Sequence, residues 1–237
     1  MGGKPSYIRL FAFFILTFFS PFLSPVLAQS PVLTQKLTQA HLGETAHVVD
    51  PGKLLVALRQ MSYGAYERVS IETVPLYNLL GSWNLFGKVN VLEQGPLSIA
   101  GRAGFFYVTW EQLPEIKDKP LTRYYVGGIA SLNVSPVLDV HLNVSNTSLY
   151  GDLLSSKKDL QIQNKLVTFQ GDVDYALTDQ RHMLVGTGYD VLTKKVSVGG
   201  SHLWQWATFY VKLGMTFKTA MTQGVTLLPY FDVGILL

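Results

Sequence analysis

The sequence predicts an all-β chain folded as an antiparallel up-and-down barrel, on three observations. Alternation of apolar and polar residues with period two recurs from Lys53 to Leu237, and successive side chains of a strand point to opposite faces. Gly, Pro, Asn and Asp break those runs at short intervals, which leaves no room for the crossover helices that parallel strands need. The composition agrees: 237 residues include 21 Gly, 12 Tyr and 13 Phe, with only 15% charged, against about 25% in an ordinary soluble domain.

The elements follow in chain order. Lys4 and Arg9 precede the apolar run from Leu10 to Phe19, and Pro21 and Pro25 precede Val26-Leu27-Ala28. That order of basic start, short apolar core and small residues reads as a secretory signal peptide over residues 1–28. The run is about half the length that a membrane-spanning helix needs. Without Lys4 and Arg9 the formal charge of +3 falls close to neutral, so the dense basic surface on which nucleic-acid binding depends is missing. Residues 29–52 carry no sustained period and read as an N-terminal periplasmic arm. Residues 53–237 form the barrel domain.

Within that domain residues 137–146 carry the clearest pattern. Leu138, Val140, Leu142 and Val144 share one face, and Asp139, His141, Asn143 and Ser145 the other, a division that a helix would scatter around its axis. Residues 166–175 set Val167, Phe169, Val173 and Tyr175 against Thr168, Gln170, Asp172 and Asp174. Residues 208–217 set Phe209, Val211, Leu213, Met215 and Phe217 against Tyr210, Lys212 and Thr216. Weaker versions run through 66–73, with Arg68 and Glu72 on the polar face, 86–93 with Lys88 and Asn90, 123–134 with Arg123, and 181–191 with His182. Further strands start near Lys53, Leu97, Lys195 and Val225.

Tyr63-Gly64, Gln94-Gly95-Pro96, Ser135-Pro136 and Thr178-Asp179-Gln180 read as turns, and 75–84 as a short helical turn. Polar connections at 111–121 and 151–163 are longer. The count is about eleven strands, whereas single-chain bacterial barrels have even numbers. A short strand near Thr45–Val49 gives twelve, the preferred count, and a merger of two neighbours gives ten.

Period two alone does not say which face meets water. Charges are sparse within the strands, and the apolar face carries large residues in nearly every one. Trp83, Trp110, Tyr124, Tyr150, Trp204 and Trp206 sit near strand ends, where membrane barrels place aromatic girdles. The last strand alternates Leu227, Pro229, Phe231, Val233, Ile235 and Leu237 with the residues between them. Together these features predict a transmembrane β-barrel with lipid outside and the polar face lining the lumen.

A leader, alternating strands and a final strand with apolar residues at every second position back from the C-terminus resemble a Gram-negative outer-membrane β-barrel protein. The stretches Tyr63–Val69 and Asn84–Lys88 are similar to patterns in small, uncharacterised, porin-like members of that class. Such proteins usually end in Phe or Trp, and this chain ends in Leu237. The resemblance implies residence in the outer membrane, contact with its lipid, and recognition by the barrel-insertion machinery through the last strand.

No residue set implies a cofactor. The chain has no Cys, which excludes thiolate catalysis, disulfides and Cys-based metal sites. Its five His residues lack ligand spacing. Asp139 and His141 lie two apart on the face that also bears Ser145, and an imidazole oriented by a carboxylate is half of a hydrolytic triad. A lipid-modifying barrel enzyme using His141 or His202 is therefore the alternative function, and a secreted soluble barrel around an apolar ligand a second. A polar ladder facing a lumen is the simpler account. The expected lining comprises Arg68, Glu72, Lys88, Asn90, Arg102 and Arg123 in the first half, then Asp139, His141, Asn143, Asp172, Asp174, Tyr210, Lys212 and Asp232. The expected role is passage or binding of small polar solutes, or a structural role in the envelope, without catalysis.

Overall fold

A computed structural model describes residues 44–79, 82–108, 121–150, 165–220 and 224–237. Twelve strands form one closed sheet: β1 Leu54–Ala57, β2 Met61–Tyr66, β3 Val69–Thr73, β4 Ser82–Gln94, β5 Leu97–Val108, β6 Leu121–Ser135, β7 Leu138–Tyr150, β8 Lys165–Thr178, β9 Arg181–Asp190, β10 Lys195–Gln205, β11 Phe209–Ala220 and β12 Gly224–Leu236. Each pairs antiparallel with its sequence neighbours, and β1 closes the ring against β12 through Leu55 opposite Leu236 and Ala57 opposite Gly234. Closure removes the sheet edge and satisfies the backbone within the wall, the condition for crossing a bilayer.

The twelve-strand count holds, but its source differs from expectation. Residues 45–49 form no strand, and Tyr63-Gly64 is not a turn; both residues lie within β2. The strand escapes a hydropathy reading because its inward residues are only Ser62 and Gly64. The expected turns at Gly95-Pro96, Pro136 and Asp179-Gln180 stand between β4 and β5, β6 and β7, and β8 and β9. Register shifts at Asn90/Leu92, Asn133/Ser135 and Ala176/Thr178 fall beside these three turns, as bulges do where pairing ends. Most of the expected connections at 111–121 and 151–163 lies outside the described residues.

The wall is uneven. Strands β4–β12 have 10 to 15 residues, enough for the roughly 9–11 that a tilted membrane crossing takes. Strands β1–β3 have only 4, 6 and 5. Over this low section lies the helix α1, Pro75–Leu79, in the expected place. Leu76 N donates to Leu58 O at 3.1 Å, and Asn84 at the start of β4 donates through Nδ2 to Asn78 Oδ1 at 2.7 Å while accepting from Val74 N at 2.6 Å.

The apolar faces point outward. Leu142, Val126 and Phe231 are more than half exposed on the outer surface, whereas His141 and Asn143 beside Leu142, and Asp232 beside Phe231, are buried within the ring. This overturns the soluble-barrel alternative, which requires the reverse. Of the expected girdle, Trp83 and Tyr124 are exposed at the end bearing α1, and Trp206 at the end bearing the tight turns. Trp110 and the side chain of Tyr150 lie outside the described residues.

Candidate functional site: the barrel interior

The interior has three charged walls. On β3, β4 and β5 the inward register brings Ser70 opposite Lys88 and Lys88 opposite Arg102. Arg102 Nε stands 2.8 Å from Glu72 Oε2, and Lys88 Nζ stands 3.9 Å from Glu72 Oε1. Ser70 and Ser62 donate hydroxyls to the same Oε1 at 3.3 and 3.5 Å. The Arg102 guanidinium lies 3.9 Å from the Phe86 ring and 5.5 Å from that of Tyr125, so aromatic faces hold it flat.

The second wall spans β6 to β9. His141 Nδ1 shares a 2.8 Å hydrogen bond with Ser131 Oγ, and His182 Nδ1 one of 2.9 Å with Asp174 Oδ1. Asp139 accepts from Asn133 Nδ2 at 2.8 Å near the tight turn. Asp172 stands opposite Gly186, where any Cβ would collide with its carboxylate. The third wall is β11 and β12, with Lys212 opposite Asp232. Tyr210 donates its hydroxyl to Asp232 Oδ2 at 2.9 Å, and Arg59 N donates to Oδ1 at 3.1 Å.

The arm's described residues run inside this space. Ala46 N donates to Ser131 Oγ at 2.8 Å, and Asn90 Nδ2 donates to Ala46 O at 3.1 Å. Ala46 packs on Ala100 and Ile129. Val49 packs on Leu55, Ala57, Leu184, Leu203 and Tyr210, so the segment reaches from the β4–β6 wall to the β9–β11 wall. Glu44 forms an ion pair with Arg102. The backbone at Val49 and Asp50 passes so close to Gly64 that a Cβ there would overlap both carbonyl oxygens. The small inward residues of β2 are therefore clearance for this segment.

Of the fourteen expected lining residues, Glu72, Lys88, Asn90, Arg102, His141, Asn143, Asp172, Asp174, Tyr210, Lys212 and Asp232 are buried on the inward register. Asp139 is inward and half-buried. Arg123 has the inward register opposite Phe106 but is exposed at the end of β6. Arg68 does not line the interior: it is exposed in the reversal between β2 and β3, because the polar alternation of 66–73 runs across a turn.

Sequence reading missed Glu44, Ala46 and Val49, as well as Ser131 and His182 as partners within the lining. His202 lies on the opposite register, facing Met183 and Leu213. It stacks on Trp204 with ring centroids 4.2 Å apart and accepts from Arg181 Nε at 3.4 Å. Among the described residues no group of three His, Asp or Glu could hold a metal ion.

A closed twelve-strand antiparallel ring, apolar outside and charged within, defines a porin-like barrel of the outer-membrane type. Among solved structures the chain is similar to a KdgM porin in complex with disordered oligogalacturonate, with 12% identity over 78% of this chain and 95% of that one and a TM-score of 0.47. It is also similar to a KdgM porin, with 11% identity, 78% and 95% covered and a TM-score of 0.46. An anion-selective porin from Comamonas acidovorans matches with 9% identity, 75% and 56% covered and a TM-score of 0.38. These likenesses concern the fold alone. No protein-family model matches the chain, and no curated protein does.

Proposed function

We propose that this chain is an outer-membrane barrel that admits or binds small polar solutes. The observation that carries the reading is the division of its wall: large apolar side chains outward on β4–β12, and buried ionic and hydrogen-bonding groups inward. Burying charge is costly unless it is paired or meets water. An interior that keeps Glu72, Lys88, Arg102, Asp172, Asp174, Lys212 and Asp232 suits a polar passage rather than a packed apolar core. Export through the leader at residues 1–28, and insertion through the outward row Leu227, Phe231, Val233 and Ile235 of β12 with Leu237 just beyond it, complete the proposal.

The geometry favours this over lipid chemistry. The imidazole of His141 is joined to Ser131, whose Oγ also accepts from Ala46 N, so that hydroxyl holds the internal segment in place. His202 is packed against Trp204 on the other side of the wall. The test is fractionation of cells with a heat-modifiability gel, followed by planar-bilayer conductance. The barrel should partition with outer membranes and shift on boiling, because a closed ladder has no edge from which to unzip. Recovery with soluble proteins and no heat shift would overturn the reading.

A further inference from the structure

The charges of the β3–β5 wall balance only if the internal segment is counted. Arg102 and Lys88 stand side by side on the inward register, and the wall gives them a single carboxylate, Glu72. The second negative charge is Glu44, which belongs to no strand. With Glu44 away, two buried cations face one anion, and unbalanced charge in a narrow, poorly solvated space attracts a counter-charge strongly.

The site is built in advance of its occupant. Phe86 and Tyr125 face the guanidinium, Glu72 Oε2 stands 2.8 Å from Nε as an ion-pair partner, and the terminal Nη1 is the nitrogen that meets the carboxylate of Glu44. A planar fork of this kind matches a carboxylate. Lys88 Nζ approaches Glu72 only to 3.9 Å, so its donors are not fully used there. With Glu44 as occupant the hydrogen bonding is incomplete: Glu44 Oε2, Glu72 Oε2 and Arg102 Nε are all buried without a hydrogen-bond partner. The segment that carries it is held by two hydrogen bonds at Ala46, by the apolar seat of Val49, and by the clearance at Gly64.

We propose that residues 44–50 are a tethered plug, and that Glu44 is the internal ligand of a carboxylate-binding site made by Arg102 and Lys88, which a carboxylate-bearing solute fills when the segment leaves. This rests on the reading of the chain as a solute-admitting barrel and assigns the solute class to the same interior. It also explains why a wall strand, β2, carries Gly64 where it passes Val49 and Asp50. The plug and the barrel fit one another in both shape and charge.

The test compares planar-bilayer currents of the full chain, of a chain lacking residues 29–50, and of full-length Glu44→Gln. The truncated barrel should conduct several-fold more than the full chain, and Glu44→Gln should open more often while keeping its heat-modifiability. Acetate should block chloride current in the truncated barrel more strongly than inorganic phosphate does, and should have little effect on the full chain. Adding Lys88→Gln to the truncated barrel should weaken that block several-fold.

If the truncated chain fails to insert, Glu44→Gln carries the test, and unchanged opening overturns the proposal. Equal conductance with and without the segment, in barrels that insert, also overturns it and leaves the solute-barrel reading intact. A stronger block by phosphate than by acetate overturns the carboxylate assignment. Failure of every chain to enter a membrane overturns the underlying reading and this proposal together.

Discussion

Glu72 on β3 and Arg102 on β5 meet at 2.8 Å across β4, the strand between them, and both side chains are almost wholly buried. The pair locks three strands of the interior together at the level where Lys88 also points inward. A buried pair adds little compared with an apolar substitute, but removal of one partner strands the other without solvent. Glu72→Gln should therefore destabilise the barrel by about 3 kcal/mol. The exposed pair Lys53–Asp50, at 2.8 Å, supplies the contrast: Lys53→Ala should cost less than about 1 kcal/mol. Urea unfolding from lipid vesicles, followed by tryptophan fluorescence, measures both, and equal costs would show that water reaches Glu72 freely.

Asp172 and Gly186 give the second prediction. A Cβ at position 186 would overlap Asp172 Oδ1 and approach its Cγ to 2.9 Å, so Gly186→Ala must push the carboxylate away or bend β9. Overpacking of this kind costs about 1–3 kcal/mol. At Gly101 a new Cβ meets nothing within 4 Å, and Gly101→Ala should be neutral or stabilising by up to about 1 kcal/mol through the unfolded chain. The ratio of folded to unfolded bands across a temperature series on a cold gel separates the two. Identical midpoints would mean that Asp172 adapts without strain.

How much of this was legible in the sequence depended on whether one face was pure. In β7 every outward residue from Leu138 to Val144 is apolar and every inward one polar, so the strand, its face and its lining residues could all be read. In β10 the inward Leu203 is fully buried and breaks the rule that the inside is polar, because it belongs to the apolar cluster that Val49 joins from the internal segment. Val49 and Ala46 gave no local sign of their positions: they hold no period, and the partner of Ala46, Ser131, is 85 residues away in the chain. Alternation reports which side a residue faces and cannot report what fills the space beyond it. Arg68 shows the other limit, since alternation continued through a reversal that carries neither Gly nor Pro.

The outward face should reject charge. Leu142 points outward and is more than half exposed on the outer surface, and an arginine near the bilayer midplane of a membrane barrel costs about 2–4 kcal/mol. Leu142→Arg should lower stability by that amount. Gln170 lies on the neighbouring strand β8, inward and half-buried opposite Asn143, and Gln170→Arg should cost far less. Refolding into vesicles with denaturant titration gives both values. An equal or reversed order would mean that the two faces are assigned backwards.

The last prediction concerns selectivity. Lys212 stands opposite Asp232 on β11 and β12, and the β6–β9 wall adds Asp139, Asp172 and Asp174, with His182 bonded to Asp174. This part of the interior thus holds more carboxylates than fixed cations, while the β3–β5 wall, once Glu44 is displaced, holds the reverse. A passage lined by both signs should discriminate weakly between small ions. Lys212→Ala removes a cation from the acidic side and leaves Asp232 bound to Tyr210 and Arg59 N, so the field there becomes more negative. Reversal potentials in a potassium chloride gradient, measured on the barrel lacking residues 29–50, should move toward the potassium equilibrium potential. Arg123→Ala should move them less, because Arg123 is exposed at the strand end, where water screens its charge. No shift for Lys212→Ala in a conducting barrel would mean that the ions pass along the β3–β5 wall and do not sense β11.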